Sequence, residues 1–158
     1  MRTLALLLLV MCAPALIAAK APVTAVQGGY VALSVADLDA SAKWYAETFD
    51  LAIVRDHSQS PDKKATATIL NGHGLIIELI QHADAMPLNR AAPALSRAFQ
   101  VHGIFKAGIV VDDLDATFTE LTARKVEIAF PIFADSALAT RTFAIRDNSG
   151  NVLQFFGK

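Results

Sequence analysis

The chain writes one pattern twice at a fixed spacing. "YVALSVADLDASAKWYAETF" begins at Tyr30, and the related "KAGIVVDDLDATFTELTARK" begins at Lys106, 76 residues later. Asp37-Leu38-Asp39-Ala40 falls on Asp113-Leu114-Asp115-Ala116. Farther on, Gly74 in "NGHGLIIELI" falls on Gly150 in "DNSGNVLQFF" at the same offset. Two ungapped copies, each too short to bury its apolar surface alone, must complete each other.

Periodicity orders the elements within a copy. "YVALSV" alternates, with Val31, Leu33 and Val35 on one face and Tyr30, Ala32 and Ser34 on the other, as in a strand. Asp37 is placed to cap a helix, with Asp39 in a first turn where the dipole favours a carboxylate. Leu38, Ala42, Tyr45 and Phe49 follow at helical spacing. Strands are expected at Ala52–Arg55, Ala65–Leu70 and Leu75–Gln81, the last two joined by the "NGHG" turn. The second copy repeats this βαβββ order. Its strand runs Phe105–Val111, and its helix runs Leu114–Ala123 with Leu114, Phe118 and Leu121 on one face. Further strands lie near Val126, Thr142 and Val152. The Ala- and Pro-rich stretch between the copies reads as a linker with one short helix from about Ala94 to Phe99, placed to cover an opening. The expected class is α+β: two tandem units, about 28–82 and 104–158, forming a cupped, barrel-like mixed sheet with helices on the outside.

Strand parity separates two kinds of face. Val31, Leu33, Val35, Leu75, Ile77, Leu79, Ala107, Ile109, Val111, Leu153 and Phe155 form uniformly apolar rows suited to meeting the helices. The opposite rows set single polar groups among small or apolar neighbours, as in a shielded cup. Tyr30 pairs with Lys106 and Glu78 with Gln154 at the same 76-residue offset, so pseudo-twofold symmetry is expected to bring the four toward one centre.

Charge excludes some partners. With 14 Lys and Arg against 15 Asp and Glu, the net charge is -1 and no basic cluster recommends nucleic acid. After Arg2, "LALLLLVMCAPALIAA" reads as a secretory signal peptide, interrupted by Pro14 and short for a bilayer span. Cleavage between Ala18 and Ala21 is expected, leaving residues 22–158 as one domain, exported to a periplasmic or extracellular space and free of the membrane. Cys12 raises a lipoprotein alternative, but Met11 before it is a poor match. Without that segment the chain has no cysteine, so neither disulfides nor a thiol nucleophile are available.

"YVALSVADLDASAKWYAETFDL", "GLIIELI", "KAGIVVDDLDATF" and "RDNSGNVLQFF", in that order, resemble the vicinal oxygen chelate superfamily across the whole expected mature chain. That superfamily includes glyoxalase I, fosfomycin-resistance enzymes, bleomycin-binding proteins, methylmalonyl-CoA epimerases and extradiol dioxygenases. The resemblance implies a homodimer, and metal ligands at the starts of the first and fifth strands, near the end of the fourth and in the eighth, usually His or Gln, His, Glu and Glu. Here those positions hold Tyr30, Lys106, Glu78 and Gln154. An ammonium has no lone pair and repels a cation, so no divalent metal or other cofactor is expected.

Two arrangements of these residues stay open. In one, Lys106 bends into water while Glu78 and Gln154 satisfy each other through solvent; in the other, a Glu78–Lys106 ion pair replaces the metal, bonded by Tyr30 and Gln154. A Schiff-base role for Lys106 fits poorly, since a nearby carboxylate keeps the amine protonated. His82 stands too far along its strand from Glu78 to share an ion, His73 lies in a turn, and His57 and His102 read as loop residues or cup lining. Asp147, Asn148, Ser149 and Gly150 read as hairpin chemistry, with Gly150 at positive φ. Two functions follow from the resemblance. One is a metal-free protein that binds a small molecule through Tyr30, Ser34, Glu78, Lys106 and Gln154. The other is a glyoxalase- or dioxygenase-like lyase or isomerase with an altered site, in which Glu78 is the general base.

Overall fold

A computed structural model describes residues 28–157; the expected signal segment, residues 1–21, lies outside them. The elements run β1 (Gly29–Ser34), α1 (Leu38–Phe49), β2 (Ala52–Gln59), β3 (Ala65–Gly72) and β4 (Leu75–His82), then α2 (Leu88–Ala91) and a 3-10 turn (Ala98–Gln100). β5 (Lys106–Val110), α3 (Leu114–Ala123), β6 (Glu127–Asp135), β7 (Thr140–Arg146) and β8 (Val152–Gly157) complete the second unit. No described helix is long and apolar enough to cross a membrane.

Both helices begin where an aspartate can cap them. Asp37 Oδ1 accepts from the Ala40 N–H at 3.0 Å, and Asp113 Oδ1 accepts from that of Ala116 at 2.9 Å. Helix α1 ends at Asp50, whose left-handed backbone (φ 54°) lets its N–H return to the Ala46 carbonyl. The turn between β3 and β4 uses His73 and Gly74 at φ 52° and 76°, two successive left-handed residues as a tight right-twisted hairpin requires. Gly150 also takes positive φ (88°), as its hairpin position predicts.

Each unit forms its own mixed sheet, ordered β1-β4-β3-β2 and β5-β8-β7-β6, with the first pair of each parallel. The expected α+β class of two tandem βαβββ units is the observed one, with the cupped sheet built as two four-stranded sheets that do not close into a barrel. β1 and β5 are left as free edges. Helix α1 packs on β2, β3 and β4, and α3 on β6, β7 and β8, covering the apolar rows and leaving the polar-dotted rows on the far side.

The units join through the helix side. Leu38, Ala42, Tyr45, Leu70, Ile77 and Leu79 of the first unit form one core with Leu114, Leu121, Phe143, Leu153 and Phe155 of the second. The Phe49 ring stacks on Phe155 at 6.1 Å, and Phe143 on Phe155 at 4.9 Å. Arg124, ending α3, donates to the last carbonyls of α1, Glu47 and Thr48, at 2.8 Å each. The residues read as hairpin chemistry also belong to this joint. Asp147 accepts from its own turn, at the N–H groups of Ser149 (2.9 Å) and Asn151 (2.7 Å) and at Asn151 Nδ2 (2.8 Å). It also accepts from the buried Tyr45 hydroxyl of α1 at 2.9 Å. Burial, then the Asp147 charge, push the Tyr45 phenol far above its ordinary range.

The linker departs from expectation. No α-helix spans Ala94–Phe99; the short α2 comes earlier, and a single 3-10 turn follows. The cause is Gln100, whose side-chain oxygen takes the N–H groups of Ser96 (3.0 Å) and Arg97 (2.8 Å), supplying a local alternative to the helical ladder.

Candidate functional site

Strand register arranges the face of each sheet opposite its helix in transverse rows. On the first sheet the rows read Asn71, Ile76, Tyr30; then Arg55, Ile69, Glu78, Ala32; then Ser58, Ala67, Ile80, Ser34. On the second they read Glu127, Arg146, Val152, Lys106; then Phe130, Ala144, Gln154, Gly108; then Phe133, Thr142, Phe156, Val110. Glu78 and Gln154 occupy the centres of equivalent rows. Each has cross-strand neighbours that alternation within a single strand does not reveal: Ile69 and Ala32 for Glu78, Ala144 and Gly108 for Gln154, with Thr142 one row on.

On the first sheet, the Tyr30 hydroxyl donates to Glu78 Oε2. This bond, followed by desolvation and the Glu78 charge, raises the Tyr30 phenol above its ordinary value, so it stays protonated and keeps donating. Tyr30 is 59% exposed and borders a shallow depression with Gly28, Gly29, Asn71, Gly74 and Ile76. Ser34 is exposed on the same face of β1, and its carbonyl accepts from Asn151 Nδ2 at 3.1 Å.

On the second sheet, Gln154 is only 3% exposed. Its Nε2 donates to Thr142 Oγ1 at 2.9 Å, and the Thr142 hydroxyl in turn donates to the Phe155 carbonyl at 2.6 Å. Gln154 Oε1 is buried without a hydrogen-bond partner among the described residues. Lys106 is exposed, its Nζ 5.3 Å from the centroid of the Phe105 ring.

The four positions therefore form two half-sites. Among the described residues no hydrogen bond or ion pair joins Tyr30 or Glu78 to Lys106 or Gln154, and the Glu78–Lys106 ion pair is not formed. The solvated arrangement of Lys106 is the observed one, and Tyr30, not Gln154, satisfies Glu78. The physical reason is the joining of the units by their helix sides, which leaves each polar-dotted row on its own outward face. Replacing Lys106 by alanine is accordingly expected to change stability by less than about 0.5 kcal/mol, as for an unpaired surface residue. A urea titration checks this, and a loss of several kcal/mol would reveal a hidden partner for the ammonium.

The superfamily's divalent ion does not fit these donors. Tyr30 directs its proton at Glu78, and the Lys106 ammonium has no lone pair to give. The described residues contain no group of three or more His, Cys, Asp or Glu arranged to hold a metal.

The histidines stand apart from these rows. His57 occupies an irregular point of β2 at φ 47°; its Nδ1 lies 2.7 Å from Asp56 and its Nε2 2.9 Å from Asp39 of α1. The Asp56 hydrogen bond and charge raise its pKa. The cluster ties an irregular strand to the first turn of a helix. His82 accepts from the Asp84 N–H at 3.0 Å, and His73 lies 3.7 Å from Asp50.

Comparison with known proteins agrees with this architecture. Among solved structures, a glyoxalase family protein from Enterococcus faecalis superposes with a TM-score of 0.65 at 16% identity, covering 80% of this chain and 94% of that one. A bleomycin resistance determinant encoded on transposon Tn5 gives 0.60 at 17%, covering 82% and 96%. A lactoylglutathione lyase from Agrobacterium tumefaciens gives 0.55 at 18%, covering 87% and 96%. At such identities the likeness is one of fold. No curated protein matches the chain. The profile of the Glyoxalase/Bleomycin resistance protein/Dioxygenase superfamily matches residues 28–155, and the chain belongs to that superfamily.

Proposed function

We propose that the protein is an exported, metal-free binder of a small organic molecule, held in a cup that a second copy of the chain completes. The observation that carries this reading is the makeup of the two outward faces. Each interleaves apolar or aromatic side chains with polar ones, and neither offers the usual donor set for a cation, a makeup that suits an organic ligand with its own polar groups. Known superfamily members include both binding proteins and enzymes, so the reading rests on these residues and not on the fold.

Dimerisation follows from what each chain leaves uncovered. The edge strands β1 and β5 are each paired on one side only, and Tyr30, Ile76, Val110 and Phe133 stand exposed on the cup rows. A twofold pair that sets β1 of one copy beside β5 of the other covers both edges. It also joins the Tyr30–Glu78 half-site of one copy to the Lys106–Gln154 half-site of its partner, twice per dimer. Light scattering at micromolar concentration is expected to give twice the chain mass, and a monomer there contradicts the shared cup. Export predicts a mature protein lacking roughly the first 20 residues by intact mass. Full-length chain recovered from membranes contradicts it.

Thermal denaturation tests the binding reading. Chelator should leave the midpoint unchanged, whereas a molecule that fills the cup should raise it with the logarithm of its concentration. A midpoint that falls on chelation, with turnover restored by metal, would instead favour the altered lyase or isomerase with Glu78 as general base.

A further inference from the structure

From the fixed orientation of the Gln154 amide we infer that the cup selects a ligand carrying a hydrogen-bond donor, a hydroxyl, amine or amide N–H, that docks on Gln154 Oε1. The inference rests on the binding reading above and specifies the ligand's chemistry. Thr142 has one hydroxyl proton, and the 2.6 Å contact to the Phe155 carbonyl uses it. Thr142 Oγ1 can then only accept, so the amide must turn its NH2 toward Thr142, as the 2.9 Å contact has it. A flipped amide would set two acceptors against each other. Oε1 is thereby held as an acceptor with no donor among the described residues, in a residue 97% buried by its 3% exposure.

Such an atom is costly in the free protein, since a buried acceptor without a donor forfeits the hydration it had when unfolded. An apolar side chain of similar size would relieve that cost, so the amide is better explained by binding than by packing. Gly108 pairs with Gln154 across β5 and β8, is exposed, and puts no side chain of its own between Gln154 and the cup. A Cβ there would meet only the Phe156 ring, 3.3 Å away. Phe130, beside Ala144 in the same row, and Phe156 are both half-buried on this face and supply aromatic surface near Gln154.

Phenol and toluene have nearly the same shape and differ in the donor, so the pair isolates the hydrogen bond. In the full mature protein, ligand-observed NMR titration should find phenol bound at least about fivefold more tightly than toluene, although toluene is the more hydrophobic. In Gln154→Met the order should reverse, and this variant should melt about 2–5 °C higher than wild type because the orphaned acceptor is gone. Toluene binding wild type as well as phenol does would overturn the donor requirement while leaving the cup a binding site. Failure of both to bind at millimolar concentration would overturn the binding reading together with this inference. A lower melting point for Gln154→Met would mean that Oε1 is already satisfied within the protein, which also overturns it.

Discussion

Asp147→Ala is expected to cost about 3–5 kcal/mol, a large share of the stability of an ordinary domain. The carboxylate is 4% exposed and accepts four hydrogen bonds, three within its own turn and one from Tyr45 in the other unit. Alanine strands those donors in a buried joint and frees the contacts around it. These include Ser41 Oγ to Asn148 Oδ1 at 3.1 Å and the Ala36 N–H to Ser149 Oγ at 3.1 Å. Tyr45→Phe removes one of the four and should cost about 1–2 kcal/mol. Asn71, the symmetry mate of Asp147, is exposed, and Asn71→Ala should be nearly silent. Chemical denaturation of the three variants measures the series. Equal effects at 71 and 147 would mean that the joint between the units is not where the hydrogen bonds place it.

The second large effect is a gain of metal binding. Tyr30→His together with Lys106→His puts an imidazole beside Glu78 on one sheet and another beside Gln154 on the other, restoring two nitrogen and two oxygen donors. In the proposed dimer these meet in one cup, so the double variant should bind Ni, Co or Zn about 100-fold or more tighter than wild type, at one ion per chain. Tyr30→His alone leaves the Lys106 ammonium to repel the cation and should gain little. Calorimetric titration across wild type, singles and double reads this out. The gain should also vanish on dilution to monomer, because one chain supplies only half of the donors around each ion.

Much of the fold was legible because local and repeated signals agreed. Asp37 and Asp113 mark helix starts by chemistry as well as by spacing, and α3 runs Leu114–Ala123 as its pattern predicts. Strands β2 and β6 were harder. β2 continues to Gln59 through "DHSQ", which does not alternate, because register shifts around His57 absorb the irregularity. The linker helix failed on a single side chain, Gln100, that competes for backbone donors.

The site was legible only by halves. The 76-residue offset makes Tyr30 equivalent to Lys106 and Glu78 to Gln154, and the sheets bear out that equivalence row by row. An internal repeat implies symmetry but not which sheet faces which, since two units can join by their cup faces or by their helix faces. Tyr45, Phe49 and Asp147 decide it, and a helical stripe that already explains Tyr45 as core conceals its hydrogen bond to another unit. Thr142 was likewise hidden, because it meets Gln154 across the β7–β8 pairing, which alternation within one strand does not show.

Native mass spectrometry of the protein purified from its own compartment, without added metal, bears most directly on the claim of a metal-free cup shared by two chains. The account predicts a dimer of processed chains that carries an organic molecule, releases it on gentle activation, and shows no divalent-metal adduct. A stoichiometric metal ion on each chain, or a ligand retained at full occupancy by a monomer, would contradict it.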